Sequence, residues 1–230
     1  MTAQDFWLEN LARADSFTRW TYSRFAPWLG SKVLELGCGT GTFTQLLANG
    51  PRTVLAADLH QPYVDIAAER LRGAANVTVV CADATRLDLP LEQRPDTVVM
   101  LDVLEHLADD RDMLRRLHRT LGPGGTLILK VPALASLFSP MDRAIGHHRR
   151  YNRRDLRDLL QRTGFDPVRL EYFNWLGAVG WWLNGRLLGR TTPPAEQLAL
   201  FERLVPVLRP VDALFRRTAG LSLIAVARRA

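Results

Sequence analysis

The chain of 230 residues has two cysteines, Cys38 and Cys81, two lysines, Lys32 and Lys130, and no apolar run long enough to cross a bilayer. Two cysteines cannot build a disulfide framework, and Cys38 sits in a Gly-rich turn, so a reducing compartment is expected and the cytoplasm is the expected location. The uncharged stretch Tyr172 to Gly185 falls short of the roughly 20 residues that a membrane helix needs. The opening residues MTAQDFWLENLARADSF carry acids early and lack an apolar core, which is not the pattern of a signal peptide. With 47% hydrophobic and 23% charged residues, the composition excludes a disordered or collagen-like chain. A chain of this size buries a core without help from metals or disulfides.

The net charge of +6 admits nucleic acid, an anionic membrane or an acidic small molecule as partner and selects none of them. Its placement says more. Residues 1 to 140 hold 14 basic and 16 acidic side chains, whereas residues 141 to 230 hold 16 and 8. Because nearly all of the positive charge is Arg, part of it reflects composition rather than a partner.

Short apolar runs alternate with helical patterns: KVLELG before TFTQLLANG, TVLAADL before PYVDIAAERLRG, VTVVCAD before a short loop and helix, DTVVMLD before EHLADDRDMLRRLHRTLGPGG, and then TLILKVPA. Runs of β-branched residues and Leu without polar alternation suit strands buried on both faces of a parallel sheet. The expectation is an α/β fold with a doubly wound, seven-stranded, mostly parallel sheet, N-terminal helices and a helical insert before the last strand. As one domain it divides into a helical lead (1–30), a core (31–133), a loop, helix and strand (134–174), an insert (175–220) and a last strand (221–230). Asn152 is placed to cap the helix that starts near Arg153. Pro193, Pro194, Pro206 and Pro210 are expected to break the insert.

The sharpest motif is Glu35-Leu36-Gly37-Cys38-Gly39-Thr40-Gly41, between a strand and a helix. Gly lets the backbone turn sharply and approach a ligand, and the helix start offers free N–H groups. The chain here resembles the class I S-adenosylmethionine-dependent methyltransferases, whose first motif reads E/D-x-G-x-G-x-G, and the resemblance covers residues 32 to 133. It implies that Gly37, Cys38, Gly39 and Gly41 line the methionine part of the cofactor. It implies further that Asp58, with Leu59 beside it in AADLH, accepts from both ribose hydroxyls, and that Asp83 in CADA accepts from the adenine amino group beside Ala84. LDVLEHL, from Leu101, matches the fourth motif, whose backbone passes the methionine. A nicotinamide dinucleotide fits less well. It uses G-x-G-x-x-G to seat a pyrophosphate on a helix start, and Glu35 opposes a pyrophosphate but favours a sulfonium.

Methyl transfer needs alignment more than acid–base chemistry, yet a hydroxyl or protonated amine acceptor calls for a base, and His suits that role. The candidates are His106 in the fourth motif and His147 and His148 in Gly146-His147-His148-Arg149-Arg150-Tyr151, with His147 first and Tyr151 beside them. Asp102, Glu105 and His106 form a ligand set for a divalent ion. The set is similar to the Glu-x-x-Glu-His of quinone-biosynthetic O-methyltransferases and small-RNA 3′-end methyltransferases, with Asp102 in place of the first Glu. Glu105 and His106 equally suit the start of the next helix, and no metal is the expectation.

The pattern G-H-x-R-R-Y resembles a bacterial methyltransferase subgroup associated with cell-envelope and secondary-metabolite genes. There Arg149 or Arg150 is placed to bind an anionic acceptor group. All six Trp lie outside the core, and Trp7, Trp20, Trp28, Trp175, Trp181 and Trp182 suit an aromatic roof over a lipophilic acceptor. WLGAVGWWLNGRLLGR, with Arg186 and Arg190, also reads as an interfacial helix that gives peripheral contact with an anionic membrane.

The expectation is therefore an S-adenosylmethionine-dependent methyltransferase acting on a small, lipophilic or aromatic acceptor, with oxygen as the methylated atom. An RNA methyltransferase is the first alternative, but the chain lacks an Asn/Asp-Pro-Pro-Tyr/Phe motif and an RNA-binding module, so nucleic acid is not the expected partner. A non-catalytic protein that holds the cofactor as a ligand is the second.

Overall fold

The computed structural model describes residues 2–86, 89 and 93–230. Among them are seven strands: β1 (Lys32–Leu36), β2 (Thr53–Asp58), β3 (Val77–Cys81), β4 (Thr97–Leu101), β5 (Thr126–Pro132), β6 (Phe165–Phe173) and β7 (Ser222–Arg229). They form one sheet in the order β3-β2-β1-β4-β5-β7-β6. The first five strands are parallel, and β7 runs antiparallel between β5 and β6. The chain winds from β1 outward through β2 and β3, then restarts on the other side of β1 with β4. The crevice at that reversal is where open α/β sheets bind ligands.

Burial explains why the central strands read as unbroken apolar runs. Every residue of β5 is buried, as are the first four of β4 and the last four of β1. β3 departs from this expectation: as an edge strand it has no buried residue, with Val77, Val79 and Val80 half-buried and Thr78 and Cys81 exposed. Helices cover the two faces. The first face is built on Leu34, Leu36, Val98, Met100, Leu127 and Leu129 with Met113, Leu114 and Leu117 of α5 (Asp110–Thr120). The second sets Val33, Val54, Val99 and Ile128 against Phe25 and Leu47. The short helix expected between β3 and β4 falls largely on residues outside the described ones.

Two helices precede β1. In α1 (Ala3–Ala12), Thr2 and Asp5 cap each other reciprocally. From α2 (Asp15–Ser23), Trp20 enters a cluster with Phe173, Val205 and Ile224, its ring 4.4 Å from that of Phe173. α3 (Thr42–Leu47) follows β1, α4 (Gln61–Arg70) follows β2, and α6 (Pro140–Ala144) and α7 (Arg153–Arg162) follow β5. Asn152 precedes α7 but makes no cap hydrogen bond; its amide nitrogen donates to Asp155 and its oxygen accepts from the Ala135 amide.

Between β6 and β7 lie α8 (Trp175–Trp181), a π-helical turn over Trp182–Leu187, and α9 (Ala195–Phe215). Pro193 and Pro194 do separate these helices. Pro206 and Pro210, expected as breaks, lie inside α9, which runs unbroken for 21 residues. Both are exposed, so a carbonyl deprived of its helical partner can turn to water.

Candidate cofactor and acceptor site

At the carboxyl end of β1 the chain turns through Gly37 to Gly41 into α3. The amides of Gly37 and Cys38 both donate to the Ala57 carbonyl, at 2.8 and 3.1 Å, which ties the turn to β2. Gly37 has a φ of +75°, and a Cβ there would lie 2.3 Å from a methyl of Val103, so the turn after β4 packs directly on the first turn. The amide of Gly39 donates to Asp58 Oδ2 at 2.8 Å, and that of His60 donates to Asp58 Oδ1 at 3.0 Å. Asp58 is buried and each of its oxygens holds one amide, leaving lone pairs for further donors.

Glu35 lies beneath the turn and accepts from the Thr44 hydroxyl at 2.6 Å. Burial, opposed by that hydrogen bond and reinforced by Asp58, pushes its carboxyl up to about 8. Burial likewise raises the Cys38 thiol, so this cysteine is not a nucleophile. Asp83 accepts from the Thr85 amide and hydroxyl at 2.8 and 2.7 Å through Oδ1, bonds that hold its carboxyl below the ordinary range. Its Oδ2 faces Arg86 at 3.6 Å. Ala84 and Leu101 are half-buried, and Leu59 is exposed. From the N-terminal side, Leu8 of α1 sits over Gly39, and the Tyr63 hydroxyl donates to Asp5 at 2.8 Å, docking α1 on α4 beside the turn.

A second group gathers where the turn after β4 meets the loop after β5. His147 is nearly buried, with Nδ1 3.0 Å from Asp142 Oδ1 and Nε2 3.6 Å from Glu105 Oε1. The His106 ring meets His147 edge-on at 4.8 Å. Burial, with the neighbouring His147, lowers His106 to about 4, so its imidazole is neutral at ordinary pH. Glu105 is fully buried, and among the described residues neither of its carboxyl oxygens has a hydrogen-bond partner. Burial, aided by Asp102, drives its carboxyl far above the usual range. Among the described residues, donor atoms of Glu105, His106 and His147 lie within 4.8 Å of one another and are the set that could hold a metal ion. The expected set contained Asp102 instead. That residue has a left-handed φ of +56° and pairs with the Lys130 ammonium. Nor do Glu105 and His106 cap α5: Asp109 does, accepting from the Asp112 amide at 2.9 Å.

Asp142, which sequence reasoning missed, organises this group. It accepts from the Ser139 amide at 2.9 Å, the Trp181 indole at 3.2 Å and Arg150 Nε at 2.7 Å, besides facing His147. Burial alone would raise its carboxyl, but the His147 hydrogen bond and the Arg150 charge bring it below the usual carboxylate range. The signal was available: Ser139-x-x-Asp142 is a capping box, and it forms.

Three expectations for this loop are corrected. Arg150 does not reach an anionic acceptor: its buried guanidinium is bound to Asp142 and the Ala133 carbonyl and stacks 4.5 Å from the Trp181 ring. Arg149 is likewise occupied, by Asp110 at 2.7 Å and the Ala108 carbonyl. Tyr151 points into the core and donates to Asp110 at 2.9 Å, and burial raises its phenol, so it anchors the loop rather than facing an acceptor. His148 is exposed, its amide bonded to the Glu105 carbonyl.

The aromatic roof is smaller than expected. Trp7 stacks on Trp181 at 5.7 Å above Asp142 and Arg150, but Trp20 is core, Trp175 stacks on Phe215, and Trp182 is exposed. Trp28 lines a hollow of about 380 Å³ with Asp96, Thr97 and Thr126, at the amino ends of β4 and β5 and away from both groups.

Residues 6–170 match the protein family described as "Methyltransferase domain". The chain belongs to the class I S-adenosylmethionine-dependent methyltransferases. The chain is 36% identical over 105 residues to the demethylmenaquinone methyltransferase of Clavibacter sepedonicus, covering 45% of the chain and 42% of that protein. It is 31% identical over 97 residues to the ubiquinone biosynthesis O-methyltransferase of Pseudomonas fluorescens, covering 42% of each. The matched stretch thus spans about two fifths of these curated relatives. The fold is similar to that of the N-methyltransferase NodS from Bradyrhizobium japonicum in complex with S-adenosyl-L-homocysteine, with a TM-score of 0.60 at 17% identity over 92% of this chain and 84% of that one.

Proposed function

We propose that the methyltransferase transfers a methyl group to a hydroxyl of a small lipophilic acceptor, with His147 as general base. The observation that carries this reading is the Asp142–His147 pair. A carboxylate on Nδ1 fixes the ring and leaves Nε2 as the basic nitrogen, on the loop that meets the turn packed on Gly37. His106, neutral and edge-on to His147, is the second base. Relatives named as a demethylmenaquinone methyltransferase and a ubiquinone biosynthesis O-methyltransferase support a lipophilic ring as acceptor.

For the cofactor, Asp58 takes the ribose hydroxyls, Asp83 the adenine amino group with Ala84 and Leu59 beside the base, and Gly37, Cys38, Gly39, Gly41 and Leu101 line the methionine. The sulfonium of bound S-adenosylmethionine activates the methyl carbon, so the protein's work is to align the acceptor oxygen, exclude water and take one proton. The cluster works without a metal in this reading. Turnover that continues in the presence of a strong chelator is expected, and abolition by chelation would contradict it.

Glu35 makes the cofactor preference pH-dependent. A carboxyl near 8 in the free protein is mostly protonated at pH 7, and a nearby cation favours its ionised form. Binding of S-adenosylmethionine then releases a proton and tightens as pH rises toward about 8. S-adenosylhomocysteine, which lacks the sulfonium charge, shows a weaker trend, and Glu35→Gln flattens the difference. Calorimetry of both ligands between pH 6 and 9 checks this; equal pH slopes would count against it.

The acceptor reading is tested by supplying hydroxylated quinols and phenols with S-adenosylmethionine and locating the new methyl by mass spectrometry and NMR. A methyl ether is the expected product. Methylation at carbon or nitrogen across the panel would contradict it.

A further inference from the structure

The insert before β7 carries an exposed apolar surface that no part of the site accounts for. Among the described residues, ten of the thirteen exposed large apolar side chains lie between Val179 and Leu214. Five of them, Leu200, Leu204, Val207, Val211 and Leu214, repeat along α9 at i, i+4, i+7, i+11 and i+14, a single helical stripe. Leu214 is 79% exposed and Val207 67%. The stripe is not the face by which α9 docks: that face presents Phe201 and Val205 to Phe17, Trp20 and Phe173. The other exposed group, Trp182, Leu183, Leu187 and Leu188, adjoins the start of α9, because the Asn184 side-chain amide donates to that of Gln197 at 2.8 Å.

Charge indicates what covers this surface. Arg186, Arg190, Arg203, Arg209 and Arg217 are exposed in the same stretch, and none forms an ion pair among the described residues. The acids are mostly spent internally. Glu202 accepts the Ser16 and Phe17 amides and the buried Asp212 accepts the Trp175 amide, leaving Glu196 exposed. A second copy seated on the same face would bring Arg against Arg with one exposed acid per chain to offset them. A layer of anionic headgroups over acyl chains satisfies both the apolar stripe and the arginines next to it, Arg203 on α9 and Arg186 and Arg190 in the segment before it.

We propose that α9 and the π-helical turn before it form a docking surface for an anionic lipid bilayer. The sequence pattern placed such a surface on one interfacial helix over Trp175–Arg190. That segment is instead divided, with Trp181 turned inward onto Trp7 and Asp142, and α9 supplies the longer face. Among the described residues no helix is long and apolar enough to cross a membrane, and the proposed contact is a peripheral one. The proposal extends the lipophilic-acceptor reading from chemistry to place, and its test uses no acceptor, so either can fail without the other.

The test is co-sedimentation with vesicles of phosphatidylcholine alone and of phosphatidylcholine mixed with phosphatidylglycerol. The wild-type chain is expected in the pellet with the mixed vesicles and in the supernatant with neutral ones. Leu204→Gln, Val207→Gln and Val211→Gln together, and separately Arg186→Glu with Arg203→Glu, are each expected to lower partitioning at least roughly tenfold. Unchanged binding of S-adenosylhomocysteine certifies that each variant is folded. Equal binding to both vesicle types, or none to either, overturns the proposal. So does a wild-type dimer in sedimentation velocity that the Gln variant dissociates without any change in vesicle binding.

Discussion

Replacing Asp142 by Ala is expected to destabilise the protein by about 3–5 kcal/mol, the range for removing one partner of a buried ion pair. The guanidinium of Arg150 is almost fully buried, and without Asp142 its remaining partners are the Ala133 carbonyl and the face of Trp181. The loss extends beyond that pair, since the Ser139 amide, the Trp181 indole and His147 also face the same carboxylate. Asp142→Asn keeps the shape but not the charge and should fall between wild type and Ala. The pH sign follows from the lowered carboxyl. The contribution is present above about pH 4, the unfolded value, and fades as pH falls through the still lower folded value. Urea melts at pH 7 and at about pH 2.5, below the ordinary carboxylate value, measure both effects. A variant within half a kcal/mol of wild type at pH 7 would mean that Arg150 finds solvent or another anion and that Asp142 does not organise the loop.

His147→Ala is expected to lower the rate of methyl transfer by roughly 10² to 10⁴, the usual contribution of a positioned general base. Binding of S-adenosylhomocysteine should be unchanged, because His147 touches Asp142, Glu105 and His106 rather than the glycine turn. The loss should fall on the maximal rate more than on KM and should shrink as pH rises and the acceptor hydroxyl ionises without help. A structural role alone would lower cofactor binding and activity together at every pH. His106→Ala is expected to cost less, since among the described residues His147, and not His106, has a ring nitrogen within hydrogen-bond distance of a carboxylate. If His106→Ala proves the more damaging, the order of the two bases is reversed.

The parts legible in the sequence are those whose physics is local. Unbroken apolar runs marked β1, β4 and β5 because both faces of those strands are covered. The glycines of the turn, the switch from strand to helix, Asp58 at the end of β2 and Asp83 after β3 put the proposed cofactor residues at the carboxyl edge of the sheet. β3 misled, because its run of Val looks the same at a sheet edge as at its centre. Pro206 and Pro210 misled because a proline on the wet side of a long helix costs less than one that strands a buried carbonyl.

The acceptor end depended on contacts between residues far apart in the chain. His147 and His106 were legible as types, but that they meet edge-on is fixed by how the loop after β5 folds over the turn after β4. The arginines of Arg149-Arg150 looked free for a ligand, and only burial against Asp110, Asp142 and Trp181 shows them occupied. Lys130 removes Asp102 from the candidate metal ligands in the same way: the partner comes from a neighbouring strand.

The central claim, that the turn after β1 together with Asp58 binds the adenosyl cofactor, is tested most directly by calorimetry with S-adenosylhomocysteine on wild-type and Asp58→Ala proteins. Asp58 holds the Gly39 and His60 amides and keeps lone pairs for the ribose, and a charge-assisted hydrogen bond contributes about 1.5–3 kcal/mol. The wild-type chain is predicted to bind at one site per molecule, and Asp58→Ala to bind at least roughly 100-fold more weakly while remaining folded. Equal affinity in the two proteins, or no binding by the wild type, would contradict the account.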